Sequence, residues 1–341
     1  MKSLLRTVLV LLFTAAIAFA AGAPQYKVLD KIKLGGEGGW DYLYVDSSAH
    51  RLYISRGTHV MVLDTNTNKV VGDIPNTQGV HGVAISDKDH KGYTSNGGSS
   101  TVTPFDPKTL QTSEPVKVGT RPDAIIFDPA SDRVFTFNAG SKDATAVDAK
   151  SGKVDGTVEI GGKPEFAQPD GKGTIFVNNE DTAELFSFDS KTLQKKNVWK
   201  MDGCESPSGL AFDVAHRRLF SGCRNKVITV TDADSGKTVA HIPIGPGVDA
   251  NRFDPASQLV FSSNGGDGTL TIAHEDSPDQ YTVVQTLETQ RGARTMELDP
   301  KTHKIYLVTA EFEPAPAPVE GQPRQRPKMI PGTFTLIVVG Q

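Results

Sequence analysis

Short hydrophobic runs separated by turn-forming residues dominate the chain beyond residue 20. From residue 117 to residue 160 such runs lie at 124–127, 133–137, 145–147 and 154–160, and turn-forming residues such as Gly, Pro, Asp or Asn follow them. None of these runs reaches the length of a helix, and several are rich in β-branched or aromatic residues. The pattern therefore predicts a unit of four short strands, which the rest of the chain repeats.

An aspartate closes the first hydrophobic run of every unit, and we call it the marker aspartate. The markers are separated by 41, 41, 42, 43, 41 and 45 residues, and an aromatic residue follows each of them six or seven positions later. Seven four-stranded antiparallel units of about 42 residues predict an all-β, seven-bladed β-propeller, with the aromatic residues between blades. The markers are Asp46, Asp87, Asp128, Asp170, Asp213, Asp254 and Asp299, and the aromatic residues are Tyr53, Tyr93, Phe135, Phe176, Phe220, Phe261 and Tyr306.

The last unit lacks its fourth strand, because the chain ends after runs at 295–298, 304–308 and 333–339. Residues 27–32 (KVLDKI) resemble 69–74 (KVVGDI) and 237–242 (KTVAHI), which occupy fourth-strand positions. We therefore predict that residues from about 26 to 34 complete the seventh blade and close the ring. The alternative, an open solenoid, would leave two unpaired edges.

A proline-rich segment at 311–332 interrupts the last unit between its second and third strands. Its composition predicts a semi-extended loop that is functional or mobile, and the alternative is a disordered surface insertion.

The first twenty residues have the features of a secretory signal: basic Lys2 and Arg6, an apolar stretch at 7–20, and a cleavage pattern that ends at Ala20. The alternative is an uncleaved anchor, although the apolar stretch is shorter than the roughly 20 residues that span a bilayer. We expect residues 21–341 to form one periplasmic or secreted domain without a transmembrane segment. Removal of Lys2 and Arg6 leaves 34 basic against 40 acidic residues, a net charge of −6, which disfavours polyanionic partners.

The second strands read YISR at 53–56, YTSN at 93–96, FTFN at 135–138, FVNN at 176–179 and FSSN at 261–264. These segments resemble the Tyr-Val-Thr-Asn motif of the YVTN-repeat, YncE-like propellers. The resemblance covers nearly the whole mature chain and implies the architecture. It implies less about function, because that family includes periplasmic and surface-layer proteins and relatives tied to nucleic-acid binding or redox systems.

Candidate chemistry lies five residues before each marker, at the start of the first strand. In a propeller the first strands line the central channel, so these side chains should meet in one funnel on the face that carries the loops before strand one. A cluster of carboxylates there would suit Ca²⁺ or Mg²⁺, with Asp41, Asp123, Glu165 and Asp249 as ligands, or a polar ligand. The alternative is a ring of solvated polar residues. The seven positions hold Asp41, Gly82, Asp123, Glu165, Ser208, Asp249 and Arg294.

Further candidates lie close to this ring. Trp40 and His81 come one position earlier, and Arg121, Arg252, Arg291 and His59 are expected in loops of the same face. Such a set could recognise a sugar, a carboxylate or a peptide end, whereas Trp40 could instead pack under the glycine-rich loop 35–39. The opposite, turn face should carry surface histidines at positions 50, 90, 216 and 303.

Cys204 and Cys223, the two cysteines, fall in adjacent loops of one unit and predict a disulfide in an exported chain. The sequence contains no CxxC or CxxCH motif and no local hydrolase or dehydrogenase motif.

Three functions remain open from the sequence. The first is a monomeric binding scaffold that takes a small polar molecule or a protein partner at the loop face. The second is a metal-assisted lactonase, hydrolase or lyase that uses the four funnel carboxylates. The third, binding of single-stranded nucleic acid, comes from the resemblance alone, and the negative charge disfavours it.

Overall fold

The computed structural model describes residues 25–314 and 327–341. Every regular element in these residues is a β-strand, and the strands form seven four-stranded antiparallel sheets. The predicted seven-bladed propeller is confirmed. The blades comprise β2 Leu43–Asp46, β3 Arg51–Ser55, β4 Val60–Asp64 and β5 Lys69–Ile74; β6 Val80–Ser86, β7 Lys91–Asn96, β8 Thr101–Phe105 and β9 Val116–Lys117; β10 Pro122–Asp128, β11 Arg133–Asn138, β12 Asp143–Asp148 and β13 Val154–Glu159; β14 Pro164–Pro169, β15 Thr174–Asn179, β16 Glu184–Asp189 and β17 Lys195–Lys200; β18 Pro207–Asp213, β19 Arg218–Cys223, β20 Val227–Asp232 and β21 Thr238–Pro243; β22 Val248–Asp254, β23 Leu259–Asn264, β24 Thr269–Ser277 and β25 Gln280–Glu288; and β26 Met296–Asp299, β27 Lys304–Thr309 and β28 Thr335–Gly340 with β1 Lys27–Lys33.

The first strand of each blade lies innermost. It contacts the first strands of both neighbouring blades all the way round the ring, and β2 meets β26 where the circle closes. Closure uses the predicted N-terminal strand, since β1 pairs antiparallel with β28 from Lys27 opposite Gly340 to Lys33 opposite Thr335. The seventh blade therefore has four strands, like the other six.

The repeated aromatic residues lie between blades, as predicted, and all seven are at most 1% exposed. Tyr93 of the second blade donates its hydroxyl hydrogen to the carbonyl of Ala149 in the third at 2.6 Å. Phe220 stacks at 5.4 Å, centroid to centroid, on Phe253 of the next blade. Burial of these rings supplies much of the hydrophobic stabilisation between blades.

The marker aspartates order the turns at the opposite end of the channel. Asp128 accepts hydrogen bonds from the backbone N–H and the hydroxyl of Ser131 at 3.1 and 2.7 Å. Three of the turn-face histidines, His50, His90 and His303, have φ between 51° and 55°, a left-handed conformation that His adopts more readily than most residues. A local structural role therefore accounts for these three positions.

The disulfide is confirmed: Cys204 and Cys223 are bonded and link the loop before β18 to the end of β19. The proline-rich segment is described only at its two ends, where Phe312 and Met329 form an isolated β-bridge. The middle of that segment and the predicted signal peptide lie outside the described residues. No helix in the described chain could cross a membrane.

Candidate functional site

The loop-face end of the channel carries the residues predicted for the funnel. The seven candidate positions lie in or immediately before the innermost strands, so their side chains are neighbours round one opening. We call this ring, together with His81 and Lys163, the funnel. Its side chains do not converge on a single point but form three linked groups.

The first group joins Asp41, His81 and Asp123 from three consecutive blades. Nδ1 of His81 lies 2.6 Å from Oδ2 of Asp41 and 3.5 Å from Oδ1 of Asp123. His81 reaches inward where the ring position itself is Gly82, whose added Cβ would lie 2.9 Å from the side chain of Ile125. Gly97 provides room for the imidazole, because a Cβ there would lie 2.8 Å from Nε2.

The second group joins Asp249 to Arg294 and Ser208. Nε of Arg294 donates to Oδ2 of Asp249 at 2.6 Å, and the Ser208 hydroxyl donates to Oδ1 at 2.7 Å. Nη2 of Arg294 lies 4.0 Å from Oδ1 of Asp41, which links this group to the first.

The third group holds Glu165 through a lysine that the sequence analysis did not select. Nζ of Lys163 lies 2.5 Å from Oε1 of Glu165 and also bonds to Glu180. Lys163 precedes Glu165 by two residues and stands immediately before β14, and Glu180 directly follows the second-strand motif FVNN. Those two spacings are the signals that could have identified the group.

Burial and mutual repulsion perturb the funnel carboxylates. Burial, and then the charge of Asp41, raise the pKa of Asp123 to about 6, although His81 opposes the shift. Burial and then Asp41 also raise the pKa of Asp249, against the effect of Arg294. Burial lowers the pKa of His81, but its hydrogen bond to Asp41 and the charge of Asp123 outweigh that effect, and the net shift is upward.

Burial raises the pKa of Glu165, and the negative charge of Asp123 raises it further. The hydrogen bond from Lys163 outweighs the burial of Glu180 and lowers the pKa of that side chain. We therefore assign the charge partner of Lys163 to Glu180.

Tyr42, which the sequence analysis did not select, lies beneath the carboxylates. Burial, and then four funnel carboxylates beginning with Asp123, raise its pKa well above the ordinary value. Its ring packs 4.5 Å from that of Phe166, centroid to centroid. Both rings also line a cavity of about 660 Å³ in the lower channel.

Arg252 belongs to this lower channel, and its predicted place in a loop of the upper face is wrong. It lies within β22, three residues beyond Asp249, and binds the two oxygens of Glu297 at 2.6 and 2.9 Å. Its guanidinium lies 5.4 Å from the centre of the Phe166 ring. Because the residue is inside an innermost strand, its side chain enters the channel rather than a surface loop.

The remaining candidates lie at the rim or in the core. Trp40 is 9% exposed and its ring lies 5.4 Å from that of Phe334, so most of the side chain packs in the core. The Arg294 guanidinium lies 5.9 Å from the Trp40 ring. Arg121 and Arg291 are exposed in their loops. His59 lies 3.6 Å from Asp73 on the outer strand β5, away from the funnel.

A metal ion has one suitable position in the described part of the funnel. The ligand atoms of Asp41, His81 and Asp123 lie within 4.8 Å of one another. Glu165 and Asp249, the other two predicted ligands, are bonded to Lys163 and Arg294. An imidazole among the ligands suits transition metals better than Ca²⁺ or Mg²⁺.

No protein-family model matches the chain, and no curated protein matches it in sequence. Solved structures do match. Hydrazine synthase from Kuenenia stuttgartiensis has a TM-score of 0.71 at 16% identity, over 80% of this chain and 92% of that chain. A chain of a mitotic checkpoint complex has a TM-score of 0.73 at 13% identity, over 90% of this chain and 95% of that chain. At these identities the similarity shows the fold alone.

Proposed function

We propose that this propeller is a binding protein whose funnel takes a small ligand with a cationic group, such as a primary amine. The observation that carries the proposal concerns Asp123. Among the four predicted carboxylates it alone accepts no side-chain hydrogen bond from the described residues, and its side chain is only 17% exposed. A desolvated carboxylate that accepts no hydrogen bond is costly unless a ligand donates one.

The neighbouring groups support a cationic ligand over an anionic one. The funnel cations His81, Lys163 and Arg294 are already bonded to carboxylates, so they offer little free charge to an anion. Trp40 beside Arg294 and the Phe312 ring 6.0 Å away provide apolar surface at the rim for the rest of the ligand. The same excess of carboxylates would repel the phosphates of a nucleic acid.

The test is calorimetric titration of the purified chain with putrescine and arginine methyl ester, and with succinate as the anionic counterpart. We expect the amines to bind and succinate not to bind. Asp123→Asn, which keeps the shape of the side chain, should abolish amine binding. Asp202→Asn, in an exposed part of the loop before β18, is the control and should bind like the wild type. Succinate binding, or amine binding that survives in Asp123→Asn, would contradict the proposal.

A second candidate function is metal-assisted catalysis or metal binding at Asp41, His81 and Asp123, which the spacing of their ligand atoms favours. His81→Asn separates the two functions. The substitution removes the nitrogen ligand of a metal, so it should abolish metal binding. It also removes a cation that competes for Asp123, so it should maintain or strengthen amine binding. Elemental analysis of the wild type before and after EDTA treatment completes the comparison.

Location and family remain predictions. The disulfide and the lack of a spanning helix in the described residues are compatible with an extracellular location. We propose export through the signal at residues 1–20, and cell fractionation with N-terminal sequencing tests both the location and cleavage after Ala20. Membership of the YVTN-repeat family also remains a proposal, supported by the second-strand motifs.

A further inference from the structure

The seam between the fifth and sixth blades, on the turn face, contains two residues that depart from the repeat. They are His216, in the turn between β18 and β19, and Glu275, near the end of β24. Neither belongs to the funnel. Each replaces a residue type that has a clear structural role in other blades.

His216 occupies the position three residues after the marker aspartate. In the third, sixth and seventh blades this position is a Ser or Thr whose hydroxyl donates to the marker at 2.6 to 2.8 Å. In the fifth blade Nδ1 of His216 lies 2.7 Å from Oδ2 of Asp213 instead. A hydroxyl would satisfy the turn equally well, so the turn alone does not require an imidazole.

Glu275 occupies a position that other blades fill with a small residue. Thr65, Ala149 and Ala233 donate their backbone N–H to the carbonyl of the left-handed turn residue, and all three are buried. Glu275 makes the same backbone bond, to Gln258 at 2.9 Å. Its side chain is therefore buried against the preceding blade, and the residue is 1% exposed.

These two departures place three ligand atoms together. Oε1 of Glu275 lies 3.3 Å from Nδ1 of His216. The ligand atoms of Asp213, His216 and Glu275 all lie within 4.8 Å of one another. Neither carboxylate oxygen of Glu275 has a hydrogen-bond partner in the described residues. No Lys or Arg of the described chain lies within 4.0 Å of that carboxylate.

The arrangement has two carboxylates and a single imidazole to balance them. Nδ1 of His216 can carry only one hydrogen, so it cannot make full hydrogen bonds to both Asp213 and Glu275. Two adjacent buried carboxylates repel each other, and each loses hydration. A divalent cation between the three groups would neutralise both carboxylates and use the unpartnered oxygen.

We propose that Asp213, His216 and Glu275 bind a zinc ion or a similar first-row divalent cation. Imidazole and carboxylate ligands suit zinc, and an imidazole is an unusual ligand for Ca²⁺ or Mg²⁺. His216 is 41% exposed, which gives the site access to solvent and a position for water as a fourth ligand. The ion would join the fifth blade to the sixth.

The test uses the full chain carrying Asp123→Asn, which removes a ligand of the funnel cluster, after treatment with EDTA. Calorimetric titration with ZnCl₂ should give one ion per chain, and Co²⁺ should give a visible absorption band from the nitrogen and oxygen ligands. Adding Glu275→Gln or His216→Asn should weaken zinc binding by more than the roughly 10- to 100-fold effect typical of losing an outer-shell partner.

His303→Asn is the matched control. His303 also lies in a turn after a marker aspartate and is 40% exposed. Its Nδ1 lies 2.8 Å from Asp254, the marker of the preceding blade, but no third ligand joins this pair in the described residues. Zinc binding should be unchanged in this variant. If Glu275→Gln does not fold, His216→Asn at the exposed turn decides the test.

Failure of the parent protein to bind zinc, or binding that survives both ligand substitutions, would overturn the proposal. The first result would indicate that Glu275 and Asp213 share a proton in place of a metal. The second would place the ion elsewhere. Amine binding at the funnel does not enter this test, so the two proposals can fail independently.

Discussion

Asp123→Asn should stabilise the folded protein near neutral pH, because the wild-type carboxylate is ionised there at a cost. A folded pKa of about 6, against an ordinary value of 3.8, corresponds to about 3 kcal/mol of destabilisation at pH 7. An asparagine amide in the same place loses about 1 kcal/mol through its own incomplete hydrogen bonding. The expected net gain in the free energy of unfolding is about 2 kcal/mol.

The pH dependence identifies the cause of this gain. Between pH 3.8 and about 6 the folded wild type retains a proton on Asp123 that the unfolded chain has lost. The contribution of Asp123 to the free energy of unfolding of the wild type therefore falls as the pH rises through that window, and Asp123→Asn does not show this fall. The advantage of the variant should be complete at pH 7 and absent near pH 4.

Urea unfolding at both pH values, followed by tryptophan fluorescence with the disulfide intact, measures the difference. Asp202→Asn, at an exposed position, should change stability by less than about 0.5 kcal/mol. A variant that is no more stable than wild type at pH 7, or a gain of equal size at pH 4, would refute the view that Asp123 is a desolvated carboxylate. Loss of amine binding together with a gain in stability would identify a residue that serves binding at the expense of stability.

Two further perturbations test the ring. Replacing both Cys204 and Cys223 by Ala opens a link with a sequence separation of 19 residues, which should cost about 3 kcal/mol; an unchanged urea midpoint would contradict this expectation. Tyr26→Ala should cost about 3 kcal/mol or more, because the ring is 2% exposed and packs 5.3 Å from that of Phe261. Leu29→Ala, on the same terminal segment but 41% exposed, should cost less than about 1 kcal/mol. Equal losses for these two variants would show that packing of Tyr26 does not anchor the closing strand.

The sequence was informative about the funnel only where a side chain follows from strand position. Asp41, Asp123, Glu165 and Asp249 could be placed on one opening because they share a register relative to the marker aspartates. Arg252 stands between Asp249 and the marker Asp254, so the same register places it inside the first strand, and the prediction of a rim loop was wrong on that register. Lys163 and Glu180 were missed because their pairing depends on which loop residues meet across the end of a blade.

The sequence by itself determined the number of blades, the register within each blade, the closing strand and the disulfide. These features rest on hydrogen-bonded neighbours and turn residues that are close along the chain or recur at a fixed period, so the repeat exposes them. Tertiary structure alone decided which charges meet. The contacts of His81 with Asp41 and Asp123, and of Glu275 with His216, join side chains 40 to 59 residues apart in the sequence. Such contacts depend on the angle and spacing between blades, which packing of the whole ring sets and which no local pattern records.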